Sequence, residues 1–278
     1  MAVITPTNKE VTSFKGLHLY HHGLSQCSQR VRICLEEKGV PWKSQYLDLM
    51  NGEHLTEYYR GINPNNVVPT LVHDGKVIIE STDIIEYIDQ NFPGASFTPE
   101  NQQERETMEM WLKTSNTTKS AIKVLSHEFL FKAKAQKSPK QIAQMKANIH
   151  NQELIKFSEE FSSKQGLSRD KIIQSIKDFQ NAFEKMDNHL AKHTWLAGET
   201  FSLADISWMG DVHRMMLMNF PLEKYVHLQS WIKRVQARPS FQKALVAYEP
   251  KVIKYFFKAY SLIRRLKGTS VAQFAKAA

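Results

Sequence analysis

With 278 residues, 42% of them apolar and 23% charged, the chain can bury a large core and points to about two domains. No apolar run approaches the roughly 20 residues that span a bilayer. The N-terminus lacks a secretory pattern and there are only two cysteines, so a cytoplasmic location is the expectation. The net charge of +9 comes from 37 basic residues interleaved with 28 acidic ones. Without zinc-finger spacing, an RNA-binding aromatic signature or a long basic block, no nucleic-acid partner is expected, while attraction of small anions stays open.

In chain order, the first fourteen residues are polar and unpatterned and read as a loose arm. GLHLYHH reads as a strand and CSQRVRICLEEKG as a helix, with Val31, Cys34 and Leu35 at helical spacing and Gly39 as its stop. PWKSQYLDL alternates like a second strand, and HLTEYYRGI is a short helical stretch ended by Asn63–Pro64. VVPTLVHDGKVIIES reads as a hairpin, because Asp74–Gly75 between two apolar runs suits a tight turn with positive φ. Ser81 reads as the N-cap of a helix whose apolar stripe is Ile84, Ile85 and Ile88. The order β-α-β-α-β-β-α makes an α/β unit with a mixed sheet.

PGASFTPEN reads as a linker, and everything after it as helical. Met108, Trp111, Leu112, Ser115, Ile122, Leu125 and Phe129 approximate one face of a long helix. Residues 132–170, rich in Lys, Gln and Ser, read as an exposed helical excursion, and Ile172, Ile176, Phe179, Phe183, Met186 and Leu190 mark a second long helix. In FSLADISWM, Ser202 and Asp205 form a capping box with Asp in place of Glu. LQSWIKRVQARP gives one more helix. Residues 251–267 form a cationic amphipathic helix, with Lys251, Lys254, Lys258 and Arg265 near one face and Val252, Phe256, Tyr260 and Ile263 near another. It either docks on its own domain or makes weak contact with a membrane surface. GTSVAQFAKAA beyond it reads as frayed.

Both cysteines lie in LSQCSQRVRIC. Seven helical residues separate Cys27 from Cys34, a rise of about 10.5 Å, too far for a disulfide. Cys34 reads as core. His21 and His22 have no ligand-spaced partner nearby, so no metal site is expected.

Four stretches in this order, SQCSQRVR, NPNNVVPTL, ES opening the third helix and FSLADI, resemble the cytosolic glutathione S-transferase superfamily over roughly residues 17–250. The resemblance implies an α/β thioredoxin-like domain at 15–94 that binds glutathione, an all-α domain at 104–250 forming the electrophile site, and a basic C-terminal extension at 251–278. It implies a homodimer, glutathione as co-substrate and no metal.

By the same resemblance Val68–Pro69 is cis, with the Val68 backbone pairing with the cysteinyl part of glutathione. Glu80 and Ser81 hold its γ-glutamyl end. His54, in NGEHL, is similar to the histidine of theta-class enzymes at the glycyl end. The basic residue that commonly precedes the Val–Pro pair is replaced here by Asn66 and Val67, which leaves the glycyl carboxylate without its usual cation.

A free thiol, with pKa near ~8.5, is only a few per cent ionised at pH 7, so one hydroxyl donor at a helix N-terminus would favour the thiolate. Ser25 matches the serine of theta- and zeta-type enzymes and is expected to be that hydroxyl. Cys27 stands where related reductive dehalogenases carry a redox cysteine, and zeta-type enzymes carry one without that chemistry. Met108, Trp111, Ser115 and Met215 are candidates for the wall of an apolar or aromatic electrophile site, although such a stripe also suits a core. The overall texture is similar to bacterial β-aryl-etherases. The expected function is therefore glutathione transfer to such an electrophile, with β-aryl-ether cleavage one form of it. The alternatives are a glutathione-dependent reductive dehalogenase using Cys27, or a non-catalytic glutathione-binding or membrane-associated protein.

Overall fold

The computed structural model describes residues 2–278, apart from the side chain of Lys251. The chain divides into two units: one runs up to Gly94 and also holds Lys134–Gly166, and the other holds Ala95–Ala133 and Leu167–Ala278. The first contains β1 (Val3–Ile4), β2 (Leu17–His21), α1 (Gln26–Lys38), β3 (Lys43–Tyr46), α2 (Glu57–Arg60), β4 (Thr70–His73), β5 (Lys76–Ile78) and α3 (Ser81–Asn91). The chain then forms α4 (Gln102–Thr117) and α5 (Lys119–Ser126) in the second unit, and returns to the first for α6 (Pro139–Asn148) and α7 (Gln152–Ser162). It finishes in the second with α8 (Arg169–Leu190), α9 (Leu203–Leu217), α10 (Val226–Gln236), α11 (Lys251–Leu266) and α12 (Val271–Ala277).

The sheet order is β1-β5-β4-β2-β3, with β2 and β3 parallel and the other neighbours antiparallel. This is the mixed sheet expected from the element order and the thioredoxin-like layout implied by the resemblance, with one strand added. The hairpin turn has φ of 47° at Asp74 and 82° at Gly75, both positive as a two-residue primed turn requires. A Cβ at Gly75 would also stand 2.3 Å from the Thr12 carbonyl oxygen, so the turn is closed to larger residues.

The N-terminal arm is not loose. Val3 and Ile4 pair with Ile78 and Val77, and Val11 is fully buried against a cluster that includes Tyr20, Tyr59, Ile62 and Val72. A two-residue edge strand and a single 3-10 turn carry no periodicity, so nothing local announces them. The 132–170 excursion also departs from expectation. Met145, Ile149 and Ile155 make a buried cluster joined by Leu55. Asn151 Nδ2 donates to Asn65 O at 2.9 Å, and the Arg60 guanidinium to Asn148 O. Its sparse apolar positions form one stripe that covers part of the N-terminal unit.

In the helical unit, the run expected as one long helix breaks at Thr118 and ends in a π-helical turn at His127–Phe131. Trp111, Trp208, Trp231, Phe179 and Phe183 fill the core. Asp205 is fully buried and accepts from Ser202 N and Oγ, from Leu196 N at 3.1 Å and from Trp231 Nε1 at 2.7 Å. The Ser202–Asp205 capping box is thus formed, and it also ties α9 to α10.

On α11, Phe257 and Arg264 face inward, Arg264 donating to Glu128 O and Oε1 at 2.9 Å each. Val252, Tyr255, Leu262, Ile263 and Leu266 are exposed, so much of the apolar face points away from the chain. Lys254 does not join a free cationic face but lies 3.2 Å from Glu249 Oε2, and the Lys251 side chain is outside the described residues. The last segment is not frayed. Ser270 and Gln273 form a capping box, Val271 is buried, and Gln180 Nε2 donates to Ala275 O at 3.0 Å.

Asp205→Ala removes four acceptor contacts from a buried site and strands the indole N–H of Trp231. It is expected to lower unfolding free energy by about 3 kcal/mol, read as a lower urea midpoint, whereas Ser202→Ala costs about 1 kcal/mol.

Candidate functional site

Strand register gathers the sequence-predicted residues of the first unit at one end of the sheet. Tyr20 pairs with Thr70, so the C-terminal end of β2 lies beside the N-terminal end of β4. Leu71 pairs with Ile78, which brings the C-terminal end of β5 to the same edge. His21 pairs with Tyr46 at the end of β3. Ser25, Val68, Glu80 and the segment leading to His54 therefore emerge together, at the carboxyl ends of the parallel pair, where open α/β sheets generally bind ligands.

Ser25 is the N-cap of α1, its Oγ accepting from Ser28 N at 3.3 Å. The cap uses a lone pair. The hydroxyl proton has no acceptor among the described residues, so Ser25 can donate to a ligand anion while it caps. The partial positive charge of the α1 N-terminus adds to that donor.

The turn that carries Ser25 is held by Arg32, which is fully buried. Its guanidinium donates to His22 O at 3.1 Å, to Gly23 O at 2.9 Å and to His21 Nδ1 at 3.2 Å. Arg has only donors, so His21 Nδ1 must accept and its proton sits on Nε2, directed at Ser44 Oγ 2.7 Å away. Burial, with the charges of Arg32 and His22 added, pulls the His21 pKa down to about 3. It is a neutral, structural histidine.

Val68–Pro69 is cis as expected, and Val68, just outside β4, has no backbone hydrogen bond to the rest of the described chain. Asn66, buried at φ 54°, donates its Nδ2 to His54 O at 2.8 Å. That bond draws the His54 segment to the Val68 edge. Glu80 is exposed at φ 64°, an unusual conformation for a residue with a Cβ, costing about 1–3 kcal/mol. Glu80, not Ser81, occupies the cap position of α3, and it makes no side-chain cap bond. Ser81 instead takes a hydrogen bond from buried Arg30, Nη1 to Oγ at 3.0 Å. The reason is packing: α1 lies against α3 and presents that guanidinium to the serine.

Cys27 is half-buried beside Ser25, its Sγ donating to Gln26 Oε1 at 3.3 Å. Cys34 is buried, and burial raises its pKa well above the usual thiol range. The two are not bonded. The four wall candidates lie in the second unit and are all buried in its packing. Trp111 accepts at its carbonyl from Trp208 Nε1 at 3.1 Å, and Ser115 Oγ lies 2.6 Å from Ser207 Oγ. Met108 and Met215 are likewise interior. The bland half of that expectation, core residues, describes what they do here. No group of three His, Cys, Asp or Glu side chains comes together among the described residues.

Sequence reasoning overlooked Arg30 and Arg32. The available signal was two arginines inside a short helix whose Val31, Ile33, Cys34 and Leu35 leave little room for a polar face.

Residues 19–96 match the family model for the glutathione S-transferase N-terminal domain, and residues 169–239 the model for the C-terminal domain. Glutathione S-transferase TCHQD of Arabidopsis thaliana is 26% identical over 275 residues, spanning 90% of this chain and 100% of that protein. Protein LigF of Sphingobium sp. strain SYK-6 is 27% identical over 239 residues, 82% of this chain and 92% of LigF. The crystal structure of that beta-etherase superposes with a TM-score of 0.74, covering 82% of this chain and 98% of its own. The tetrachloro-p-hydroquinone reductive dehalogenase of Sphingobium chlorophenolicum is 24% identical over 240 residues, 82% of this chain and 95% of that protein.

The His21 arrangement has a pH signature. Its folded pKa of about 3 lies below the unfolded value of 6.5, so the unfolded chain takes the proton first. Stability should therefore fall as pH drops from 6.5 towards 3, at up to about 1.4 kcal/mol per pH unit for this one group. Urea unfolding at pH 7 and pH 5 should show a smaller loss for His21→Gln than for the wild type.

Proposed function

Because the chain belongs to the glutathione S-transferase superfamily, we propose that Ser25 holds glutathione as its thiolate for attack on an apolar or aromatic electrophile. The uncommitted hydroxyl proton of Ser25, at the N-terminus of a buried helix, carries the reading. Glutathione loses its thiol proton to solvent, and the sulfur accepts a hydrogen bond from Ser25 Oγ. The thiolate forms a C–S bond as the leaving group departs with the electron pair of the broken bond. With a β-aryl ether the broken bond is C–O and the leaving group a phenolate, a substrate choice supported by the likeness to LigF. Val68 offers its backbone to the cysteinyl part, Glu80 and Ser81 receive the γ-glutamyl end, and His54 the glycyl end.

A second reading rests on Cys27, half-buried two residues after Ser25, together with the reductive dehalogenase relative. There Cys27 attacks the sulfur of a glutathione conjugate, giving a Cys27–glutathione disulfide and a reduced product that takes up a proton. A second molecule of glutathione then restores the cysteine. Ser25→Ala should lower kcat/KM for conjugation roughly 100-fold and move the pH at which bound glutathione ionises back towards ~8.5. Cys27→Ser should leave conjugation intact. Loss of turnover with Cys27→Ser alone would transfer the function to the second reading.

On the same family footing the protein is proposed to work as a cytoplasmic homodimer, which sedimentation velocity and cell fractionation would read. The exposed side of α11 adds an interaction surface, with Val252 at 77%, Tyr255 at 72%, Leu262 at 58% and Leu266 at 80% exposure. Exposed Lys258, Arg265 and Lys267 border this stripe, a pattern suited to an anionic bilayer surface. The full chain should co-float with vesicles containing anionic lipid and not with neutral ones, and Tyr255→Glu with Leu262→Glu should abolish flotation. Equal flotation of that double variant would rule out α11 as the contact.

A further inference from the structure

In the first unit a cavity of about 240 Å³ lies between the loop at 50–56 and α6. None of Ser25, His54, Val68, Glu80 or Ser81 lines it, so it is a different space from the proposed glutathione contacts. Its volume falls short of the ~300–1,000 Å³ of pockets for drug-sized ligands, which limits an occupant to a small molecule. Part of the lining is apolar. Met145 on α6 and Ile149, one turn further on, belong to the buried cluster that Leu55 joins, and all three line the cavity. Met50 and Gln144 also line it and are exposed, so the cavity opens to solvent.

The polar part of the lining carries one sign of charge. Among the described residues that line the cavity, Lys137 is the one ionisable group. Gln144 and Asn148, a turn apart on one face of α6, add side-chain amides. The acids of the neighbouring loop are spent on the loop itself. Asp48 Oδ1 accepts from Met50 N at 2.9 Å and Asn51 N at 3.1 Å, and Glu53 Oε2 accepts from Asp48 N at 2.6 Å. The lysine is held in place by its backbone, Lys137 N donating to Ser162 Oγ at 2.9 Å while Ser138 caps α6. Its side chain is half-buried with no carboxylate partner among the described residues, and burial lowers its pKa. An ammonium that has lost water and gained no counter-ion is poorly stabilised, and a bound carboxylate would supply a charge-assisted bond.

We propose that this cavity binds a small carboxylate with an apolar body, the carboxylate on the Lys137 ammonium and the amides of α6, the body against Leu55, Met145 and Ile149. The thioethers of Met50 and Met145 favour an aromatic ring over a plain alkyl chain for that body. The ligand touches both the loop and α6, so it joins the 134–166 segment to the rest of the first unit. This goes beyond the transferase reading and does not depend on it.

Isothermal titration calorimetry of the full chain with hydrocinnamate, and with its neutral amide, tests this in the absence and presence of saturating glutathione. The wild type should bind the acid roughly 10-fold more tightly than the amide, and glutathione should leave that affinity unchanged. Lys137→Ala should weaken the acid roughly 10-fold and leave the amide alone, and Lys137→Arg should restore most of the loss. Lys140→Ala, at an exposed lysine three residues on, should change neither ligand. The backbone amide resonances that the acid shifts should fall within 50–56 and 137–149. No binding of the acid, equal binding of acid and amide, a Lys137→Ala variant that weakens both or neither, or shifts confined to other residues would each overturn the proposal. Displacement of the acid by glutathione would overturn it as well, by assigning the cavity to the glutathione site, and would leave the transferase reading standing.

Discussion

One buried cation sets the geometry of the site. The Arg32 guanidinium has only donors, and its acceptors are the last residue of β2 and the two residues after it. The turn cannot swing away without leaving a buried charge unpaired, a loss of several kcal/mol. Arg32 also sits on the helix that Ser25 caps, so turn and helix fix one another. A serine placed this way needs no reorganisation to donate to an anion, which is the condition for electrostatic stabilisation to act on rate in the proposed reaction.

The rest of the N-terminal unit completes that arrangement from parts distant in sequence. Arg30 reaches across to Ser81 at the head of α3. Asn66 draws the His54 segment against the Val68 edge, and the 134–166 segment closes over the same loop through Leu55, Asn65 and Arg60. Polar groups at this end of the sheet are thus either locked into protein contacts or left with one defined vacancy in their bonding. The locked ones hold shape. The open ones, the hydroxyl proton of Ser25 and the backbone of Val68, are those with capacity for a ligand.

The helical unit shows the opposite balance. Two of its candidate electrophile residues are engaged with the neighbouring helix, Trp111 O with the Trp208 indole and Ser115 Oγ with Ser207 Oγ, and Asp205 spends four acceptor contacts on joining helices. Among the described residues, α11 leaves an apolar stripe uncovered, while Phe257 and the Arg264–Glu128 pair hold its inward side.

What was legible in the residues was what neighbouring residues decide. Period, turn chemistry and caps announced the β-α-β-α-β-β-α order, the Asp74–Gly75 turn and the Ser202–Asp205 box, and the motif stretches pointed to the family. The Ser270–Gln273 box is equally local. The edge strand at Val3–Ile4, the packing of 134–166 and the loss of Ser81 as a cap were not legible, since each depends on which distant surface arrives to cover it. The sequence by itself determined the elements and the family, because those follow from interactions over a few residues. Only the tertiary structure decided which charges are buried and with whom, Arg32 with the β2 turn and Arg30 with Ser81, because desolvation is a property of the packed neighbourhood and not of the local chain.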